Sequence, residues 1–581
     1  MRFEKFLLRL YIVQKVALVL LTLNNIKTMK IKRFFLAAAG LLLSGVMVAQ
    51  SYGWHPDDEN YAESCTSIMV GKKASTDGSV MTAHSCDSNY RTWLSMEPSK
   101  TYKPGELQAI YWGLLHNEER HDMRNVEKKG EIPAPTVPTY RFLNVAYPCM
   151  NEKQLAIGET TTVGKRELKR PDGLFLIEEL ERVALERCST AREAIALMGA
   201  LAEEYGYADG GECLTVADKN EVWHFEIYGN GKLPVDPKAK KSKKAPVDKP
   251  GALWVAQRIP DDHVGVSANI PRIGVVDFND PNTFMYSKDL KERSKAIGYW
   301  DGEGDYVFWK VVSSGKKPFS IREYFVLSTL APSLNLKYEA DEIPFSVKPE
   351  KKVSPEQMFA FYRETYEGTE YDQVKNLGVE VDRRKVENGE TISYKETVYP
   401  VSTFMPGDMR TLLNSIKPGV TERIRTIAVI QCSYSHIMQC RDWLPDEIGG
   451  VAYFSFDNPA QSPRIPIYAG ATELPKDWGV CGQMRYREDA AVWSYRETNR
   501  IATISWDKTR HLLEEQVANY EKQMMKENAL VEKEVAQLLK EGKKDEATKL
   551  LNNYTKKYAS ATAKTWEDLK AELWTIFARS M

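Results

Sequence analysis

The 581-residue chain has no excess of one charge: 79 Lys and Arg stand against 80 Asp and Glu. Nucleic-acid binding, which depends on concentrated positive charge, gains no support from that balance. A convincing membrane span is also missing. Phe6–Leu23 is interrupted by Arg9, Gln14 and Lys15, and Phe34–Val48 is short of the roughly 20 apolar residues that a helix needs to cross a bilayer. The eight cysteines, Cys65, Cys86, Cys149, Cys188, Cys213, Cys432, Cys440 and Cys481, are too few and too scattered for a disulfide framework, and no two have CxxC spacing. The phosphate loop GxxxxGK, the dinucleotide fingerprint GxGxxG, the zinc motif HExxH and the serine elbow GxSxG are all absent. His116 and His121 lie five apart in a polar stretch, the wrong helical spacing for a shared metal. With 43% hydrophobic and 27% charged residues, wholesale disorder and collagen are excluded. One large unit or two to three smaller ones fit the length, since a domain takes roughly 100–200 residues.

The start of the chain has the layout of a targeting segment. Met29 opens a basic run through Arg33, then comes the apolar run from Phe34, then Ala49-Gln50-Ser51. We therefore expect a secretory signal peptide at 29–49, an upstream mis-start at 1–28 and a short propeptide at 50–64, and hence a secreted or periplasmic protein with no stable membrane insertion once the signal is removed. An N-terminal signal anchor is the alternative. No cysteine follows the apolar run, so a lipid anchor is unsupported. Loss of residues 1–49 would leave 71 basic against 79 acidic side chains, a mildly acidic and soluble product.

From Cys65 the text alternates. Cys65 to Gly71 reads as a strand, Ser75-Thr-Asp-Gly as a turn, and Ser79 to His84 as a second strand. Ile132 to Pro138 is loop, and Gln154 to Glu159 is another strand. Helical spacing follows at Leu174–Arg187 and at Thr190–Tyr205, where Thr190 and Glu193 stand at capping-box positions. Cys213–Ala217 and Val222–Tyr228 flank Asp218-Lys-Asn as a hairpin, with further strands from Trp254 and His263. Strands, then helices, then strands indicate an α+β fold with antiparallel sheet. The Lys- and Pro-rich segment 232–251 reads as a solvated basic loop insertion. From 506 to 581 the text is helical, with Leu512, Val517, Tyr520, Met524, Leu530, Val535 and Leu538 on one side and Gly542 as the break. It predicts a C-terminal helical hairpin packed on the main body. A coiled-coil arm, and with it a homo-oligomer, is the other reading, although strict heptads are not sustained.

Cys65 stands close behind the expected cleavage site, after a short polar leader, on the first residue of a strand. A buried structural cysteine is the ordinary reading of such a position. The other reading is an N-terminal nucleophile. A cysteine at a free chain end carries an α-amine with a pKa of roughly 7.7–8.0, so one residue supplies both nucleophile and base. The same thiol could remove its own leader by attacking the Ser64–Cys65 bond.

The run Ser64-Cys-Thr-Ser-Ile-Met-Val-Gly-Lys-Lys-Ala-Ser-Thr-Asp-Gly-Ser resembles the opening of the secreted PepD-like cysteine dipeptidases. These are N-terminal-nucleophile (Ntn) hydrolases, related to choloylglycine hydrolase, penicillin V acylase and the secernins. Tyr366-Glu-Gly-Thr-Glu-Tyr-Asp, Cys432-Ser-Tyr-Ser-His with Gln439 and Arg441, Leu444-Pro-Asp-Glu-Ile-Gly-Gly-Val and Pro466-Ile-Tyr-Ala-Gly extend the likeness over about residues 64–510. The resemblance implies an αββα sandwich of two antiparallel sheets between helical layers, with the dipeptidase domain at 65–505. It makes Cys65 the nucleophile freed by propeptide removal and Asp87 the acid that orients its amine. It makes Asn269, and with it Asn151, donors to the oxyanion. Either Asn could instead be an ordinary turn residue. Many relatives carry Arg-Asn-x-Asp where this chain has His84-Ser-Cys-Asp, so a conditional charge replaces a permanent one near the sulfur. Cys86 is expected to face away from the site, and Arg322 stands near the position of a distal active-site arginine.

By the same resemblance the substrate is a small peptide, a dipeptide whose free ammonium needs an acidic partner that the sequence does not identify. No metal or organic cofactor is expected. An acyl-amide hydrolase of bile-salt or penicillin V type and a non-enzymatic secernin-like binding protein remain the alternatives.

Overall fold

Strands β1 (Ser64–Val70) and β2 (Val80–Asp87) form the hairpin anticipated from the sequence, turning through Asp77-Gly78. Gly78 adopts φ 86°, open to glycine at little cost, and Asp77 Oδ1 accepts from Ser79 N at 3.0 Å. The computed structural model describes residues 64–162, 164–234 and 248–580. The expected mis-start, the signal peptide, all of the propeptide but Ser64, and most of the basic loop at 232–251 lie outside the described residues.

The remaining strands, in chain order, are β3 (Ser95–Glu97), β4 (Leu107–Trp112), β5 (Glu127–Pro133), β6 (Phe142–Asn144), β7 (Met150–Asn151), β8 (Ala156–Thr161), β9 (Glu212–Ala217), β10 (Val222–Gly229), β11 (Ala252–Arg258), β12 (Val264–Ser267), β13 (Phe284–Tyr286), β14 (Ser346–Val347), β15 (Val379–Glu387), β16 (Glu390–Val398), β17 (Cys432–Cys440), β18 (Val451–Phe456) and β19 (Ile465–Tyr468). The helices include α1 (Ile177–Arg187), α2 (Ala191–Tyr205), α3 (Ile321–Leu330), α4 (Pro355–Tyr362), α5 (Ala491–Ala502), α6 (Trp506–Lys540) and α7 (Lys544–Ser580). The fold is α+β, and every pairing between these strands is antiparallel.

Two large sheets carry the architecture. One runs β14-β12-β1-β2-β17-β18-β19, the other β13-β11-β10-β9-β8-β7-β6-β3. Hydroxyl contacts tie them together: Ser67 Oγ donates to Glu159 O at 2.9 Å, and Thr82 Oγ1 meets Thr215 Oγ1 at 2.6 Å. Gly158 marks the closest approach, since a Cβ there would lie 2.7 Å from Ala83 O. Central strands β1, β2, β9, β10, β17 and β18 are buried along their whole length, because both faces of each sheet are covered. The polar side chains in them, among them Thr66, Ser67, Thr82, His84, Thr215, His224 and Glu226, are buried as well.

Helices α1 and α2 follow the sequence closely. Thr190 and Glu193 make the reciprocal capping box, and α2 packs on β9 and β11. On the other sheet, α5 lies against β18 and α7 against β19. The C-terminal hairpin turns at Gly542, with φ 77°, and packs on the body through Trp566 Nε1 to Asn499 Oδ1 (3.0 Å) and Thr555 Oγ1 to Pro466 O (2.8 Å). Its buried stripe is not quite the one anticipated. Leu513, Val517, Met524 and Val535 are buried, whereas Leu530 is 69% exposed. Two further differences are local. Strand β5 runs on to Pro133, where loop was expected from Ile132. The exposed ribbon β15–β16 was not anticipated, although Asn388-Gly389, with φ 52° and 85°, is a hairpin dipeptide.

Candidate active site

Where β1 leaves β12, the ladder changes hands from backbone to side chain. The register pairs Ser67 with Ser267, so continuing it would bring Cys65 opposite Asn269. Strand β12 has ended by then. Asn269 takes φ 64°, a left-handed conformation that Asn tolerates better than most residues, and its side chain supplies the acceptor that the backbone no longer does. Cys65 N donates to Asn269 Oδ1 at 2.9 Å. The amide is fixed in this orientation because its oxygen meets two donors, Cys65 N and Arg322 Nη2 (2.9 Å), while its nitrogen donates to Thr161 O at 2.6 Å.

Arg322 clamps the start of β1. Its guanidinium donates to Cys65 O, to Thr66 Oγ1 at 3.0 Å and to Ala268 O at 2.9 Å. Ser320 and Glu323 form a capping box that places Arg322 on the first turn of α3. The sequence resemblance only brushed this arginine, because the surrounding text diverges. Tyr362 of α4 adds a hydrogen bond from its hydroxyl to Thr66 O at 2.7 Å.

The Cys65 side chain is wholly buried and points toward the second sheet. The ligand-type atoms of Cys65, His84 and Glu159 all lie within 4.8 Å of one another. Burial pushes the thiol well above its ordinary pKa, and the charges of Glu159, Cys86 and Asp87 push the same way. In the uncleaved chain Cys65 is therefore a protonated, weakly nucleophilic thiol. Cys86 proves to be a direct neighbour: the register pairs it with Cys65, and directly opposed residues share a face. It was expected to face away. All eight cysteines are free thiols.

His84 sits where related sequences carry arginine, buried on β2. Its Nδ1 lies 2.6 Å from Glu159 O and 3.3 Å from Glu159 N, and its Nε2 has no hydrogen-bond partner. Burial lowers its pKa to about 4, so at neutral pH the ring carries no charge and does not reproduce an arginine. Three ligand types, a thiol, an imidazole and a carboxyl, come together here.

Glu159 escaped the sequence reading. It ends the predicted strand Gln154–Glu159, and an acidic residue buried in apolar strand text was the signal available. Burial raises its pKa to about 7, against the opposing influence of Glu212, Cys65 and Thr161. Glu212, at the start of β9, is raised well above the usual range by burial and by the charge of Glu159. Burial of both carboxyls, and the charge of Glu159 acting on Glu212, favour the protonated form, so the two resist ionising together.

The other anticipated residues are placed as follows. Asp87 lies across from Ser64 in the register. Its Oδ2 accepts from Ser85 Oγ at 3.1 Å and from Arg425 Nη2, and its Oδ1 is buried with no hydrogen-bond partner. Arg425 also donates to Ser64 Oγ, through Nη2 at 2.9 Å. Asn151 is part of a turn: Oδ1 accepts from Lys153 N and Leu155 N, and Nδ2 donates to Leu185 O and Cys188 O at the end of α1. These bonds give Asn151 the turn role that the sequence left open beside the oxyanion role. Among the described residues no helix is long and apolar enough to cross a membrane.

Comparison with known proteins completes the description. The sequence profile of Peptidase family C69 matches residues 64–523, so the matched region begins one residue before Cys65. A "Probable dipeptidase" of Latilactobacillus sakei is 26% identical over 434 residues, 71% of this chain and 76% of that protein. "Dipeptidase A" of Lactobacillus helveticus is 23% identical over 431 residues, covering 71% of this chain and 77% of its own length. A "Probable dipeptidase" of Salmonella dublin is 23% identical over 479 residues, 78% of this chain and 94% of that protein.

Proposed function

This chain belongs to peptidase family C69 and is a cysteine-type dipeptidase, and we propose that Cys65, freed as the N-terminal residue, is its nucleophile. The observation that carries the proposal is the 2.9 Å hydrogen bond from Cys65 N to Asn269 Oδ1. Cleavage of the Ser64–Cys65 bond turns that amide into a primary amine already held by a side chain. No cation beside the buried sulfur lowers its pKa, so a base has to be supplied, and the amine two bonds from Cβ is the nearest one.

In this reading the amine takes the thiol proton and Sγ attacks the scissile carbonyl. The amine then protonates the departing nitrogen, and water hydrolyses the thioester. Asn269 Oδ1 and the Arg322 clamp hold the nitrogen, with Asp87 and its unpartnered Oδ1 as counter-charge if the amine is protonated. Asn269 thus serves the amine first. Asn269 Nδ2 spends one of its two N–H groups on Thr161 O and keeps the other for the oxyanion, whereas Asn151 Nδ2, which donates to both Leu185 O and Cys188 O, would have to vacate a bond to take that part.

The two facing sheets with helices on both outer sides support assignment to the αββα sandwich of Ntn hydrolases. We further propose that the leader is removed autocatalytically and that the protein is exported, for which the signal-like segment 29–49 is the support. Cys65→Ala tests the nucleophile and the processing together. We expect it to keep the residues before position 65, by intact mass and N-terminal sequencing, and to lose dipeptide hydrolysis. Normal maturation of that variant, or an active enzyme that retains a peptide bond on the Cys65 nitrogen, would refute the mechanism.

A further inference from the structure

Substrate selection by a dipeptidase has a geometric consequence. In a dipeptide the free amino nitrogen belongs to the residue whose carbonyl is attacked, and it lies roughly 2.5 Å from that carbonyl carbon by covalent geometry. A sulfur poised for attack sits about 3–3.5 Å from the same carbon. The ammonium must therefore fall within a few ångströms of Cys65 Sγ, which is the shell occupied by the Glu159 carboxyl. In an N-acylated peptide, or at an internal bond of a longer one, this nitrogen is an uncharged amide.

The surroundings of Glu159 are acidic, and none of the largest influences on its carboxyl is a cation. Glu212 on β9, Asp209 in the preceding turn, and Glu178 and Glu181 on α1 face the same region, with Tyr147 and Tyr207 beside them. His84 and Cys86 complete the ring and are neutral there. Arg91, whose charge reaches Cys86 and Glu178, is spent on Trp93 O, Asn144 Oδ1 and Val145 O. A second observation is independent of the acidic count. Tyr207 OH, Glu159 Oε2 and Glu212 Oε2 are all buried, and none of the three has a hydrogen-bond partner among the described residues. Unsatisfied buried acceptors of this kind are costly unless a ligand completes them.

We infer that the Glu159–Glu212 pair, with Tyr207 OH beside it, is the pocket that binds the free α-ammonium of the substrate and so restricts the enzyme to peptides with an unblocked N-terminus. The inference rests on the dipeptidase reading above. One carboxylate meets the ammonium while its partner keeps its proton, so the filled pocket is neutral. Glu159 is thus a substrate-binding residue next to the thiol, and Glu212 acts through it.

The test compares l-alanyl-l-alanine with propionyl-l-alanine, which lacks only the amino group. Matured wild-type protein should hydrolyse the first and barely touch the second. In Glu159→Gln the preference, as a ratio of kcat/KM values, should collapse by about 10- to 100-fold, the loss on the dipeptide residing chiefly in KM. Equal losses on both substrates would overturn the proposal and leave the dipeptidase reading intact. A wild-type enzyme that cleaves both equally well would do the same, whereas one that cleaves neither removes both readings. Should Glu159→Gln fail to fold, the wild-type protein decides. l-Alanine should slow alkylation of Cys65 by iodoacetamide at concentrations where propionate does not, and equal protection by the two would refute the pocket.

Discussion

Replacing Glu159 by Gln should change how stability depends on pH, not only how substrate binds. The swap is nearly isosteric and removes a carboxyl whose pKa is about 7 in the folded protein, against a value near 4.5 when unfolded. Because the folded value is raised, the protonated carboxyl contributes stability that is fully present below about pH 4.5 and is lost as pH rises through 7. At 1.36 kcal/mol per pH unit, the folded preference for the proton is worth about 3 kcal/mol. Wild type should therefore lose about 3 kcal/mol relative to Glu159→Gln between pH 5 and pH 8, seen as a gap of a few degrees in Tm that opens across that interval. His84 works in the opposite sense. Its pKa is depressed to about 4, so its contribution is present above about 6.5 and is lost as pH falls through 4. It is common to both proteins and cancels in the difference. Both should carry Cys65→Ala, so that processing does not blur the comparison. A gap that stays constant from pH 5 to pH 8 would refute a buried carboxyl held toward its protonated form.

Two further substitutions probe the thiol. Asn269→Gly keeps the left-handed backbone and deletes only the side chain, so Cys65 N and one Arg322 donor lose their acceptor; we expect about 1–3 kcal/mol of destabilisation by denaturant midpoint, and slower maturation followed by N-terminal sequencing. Maturation and stability both equal to wild type would remove Asn269 from the site. His84→Arg places a permanent cation against Cys65 and Glu159, which should lower both pKa values and move the pH profile of Cys65 alkylation to lower pH; an unchanged profile would mean that the position is electrically remote from the sulfur.

Much of the site was legible because it lies in two consecutive strands. Cys65, His84 and Asp87 fall within one hairpin whose turn, Asp77-Gly78, is readable from local chemistry. The helices α1 and α2 announced themselves through periodicity and the Thr190–Glu193 box, and the C-terminal hairpin through its charge pattern and Gly542. Residues whose role depends on another element were not legible. Asn151 and Asn269 look alike as text, yet one caps a turn against the end of α1 and the other replaces a missing rung of ladder beside Cys65. Arg322, Arg425 and Glu159 reach the site from 257, 361 and 75 to 92 positions away, with no local pattern to mark them.

The sequence by itself determined that a cysteine opens a buried strand, that the fold is α+β with antiparallel hairpins, and that no composition favours nucleic acid. Those are properties of neighbours along the chain, set by turn chemistry and side-chain periodicity. Only the tertiary structure decided what surrounds the thiol: an uncharged histidine, two buried carboxyls pushed toward the protonated form, and an amide oxygen waiting at the nitrogen. Their protonation follows from burial between two packed sheets, and burial is a property of the whole fold that no stretch of text carries.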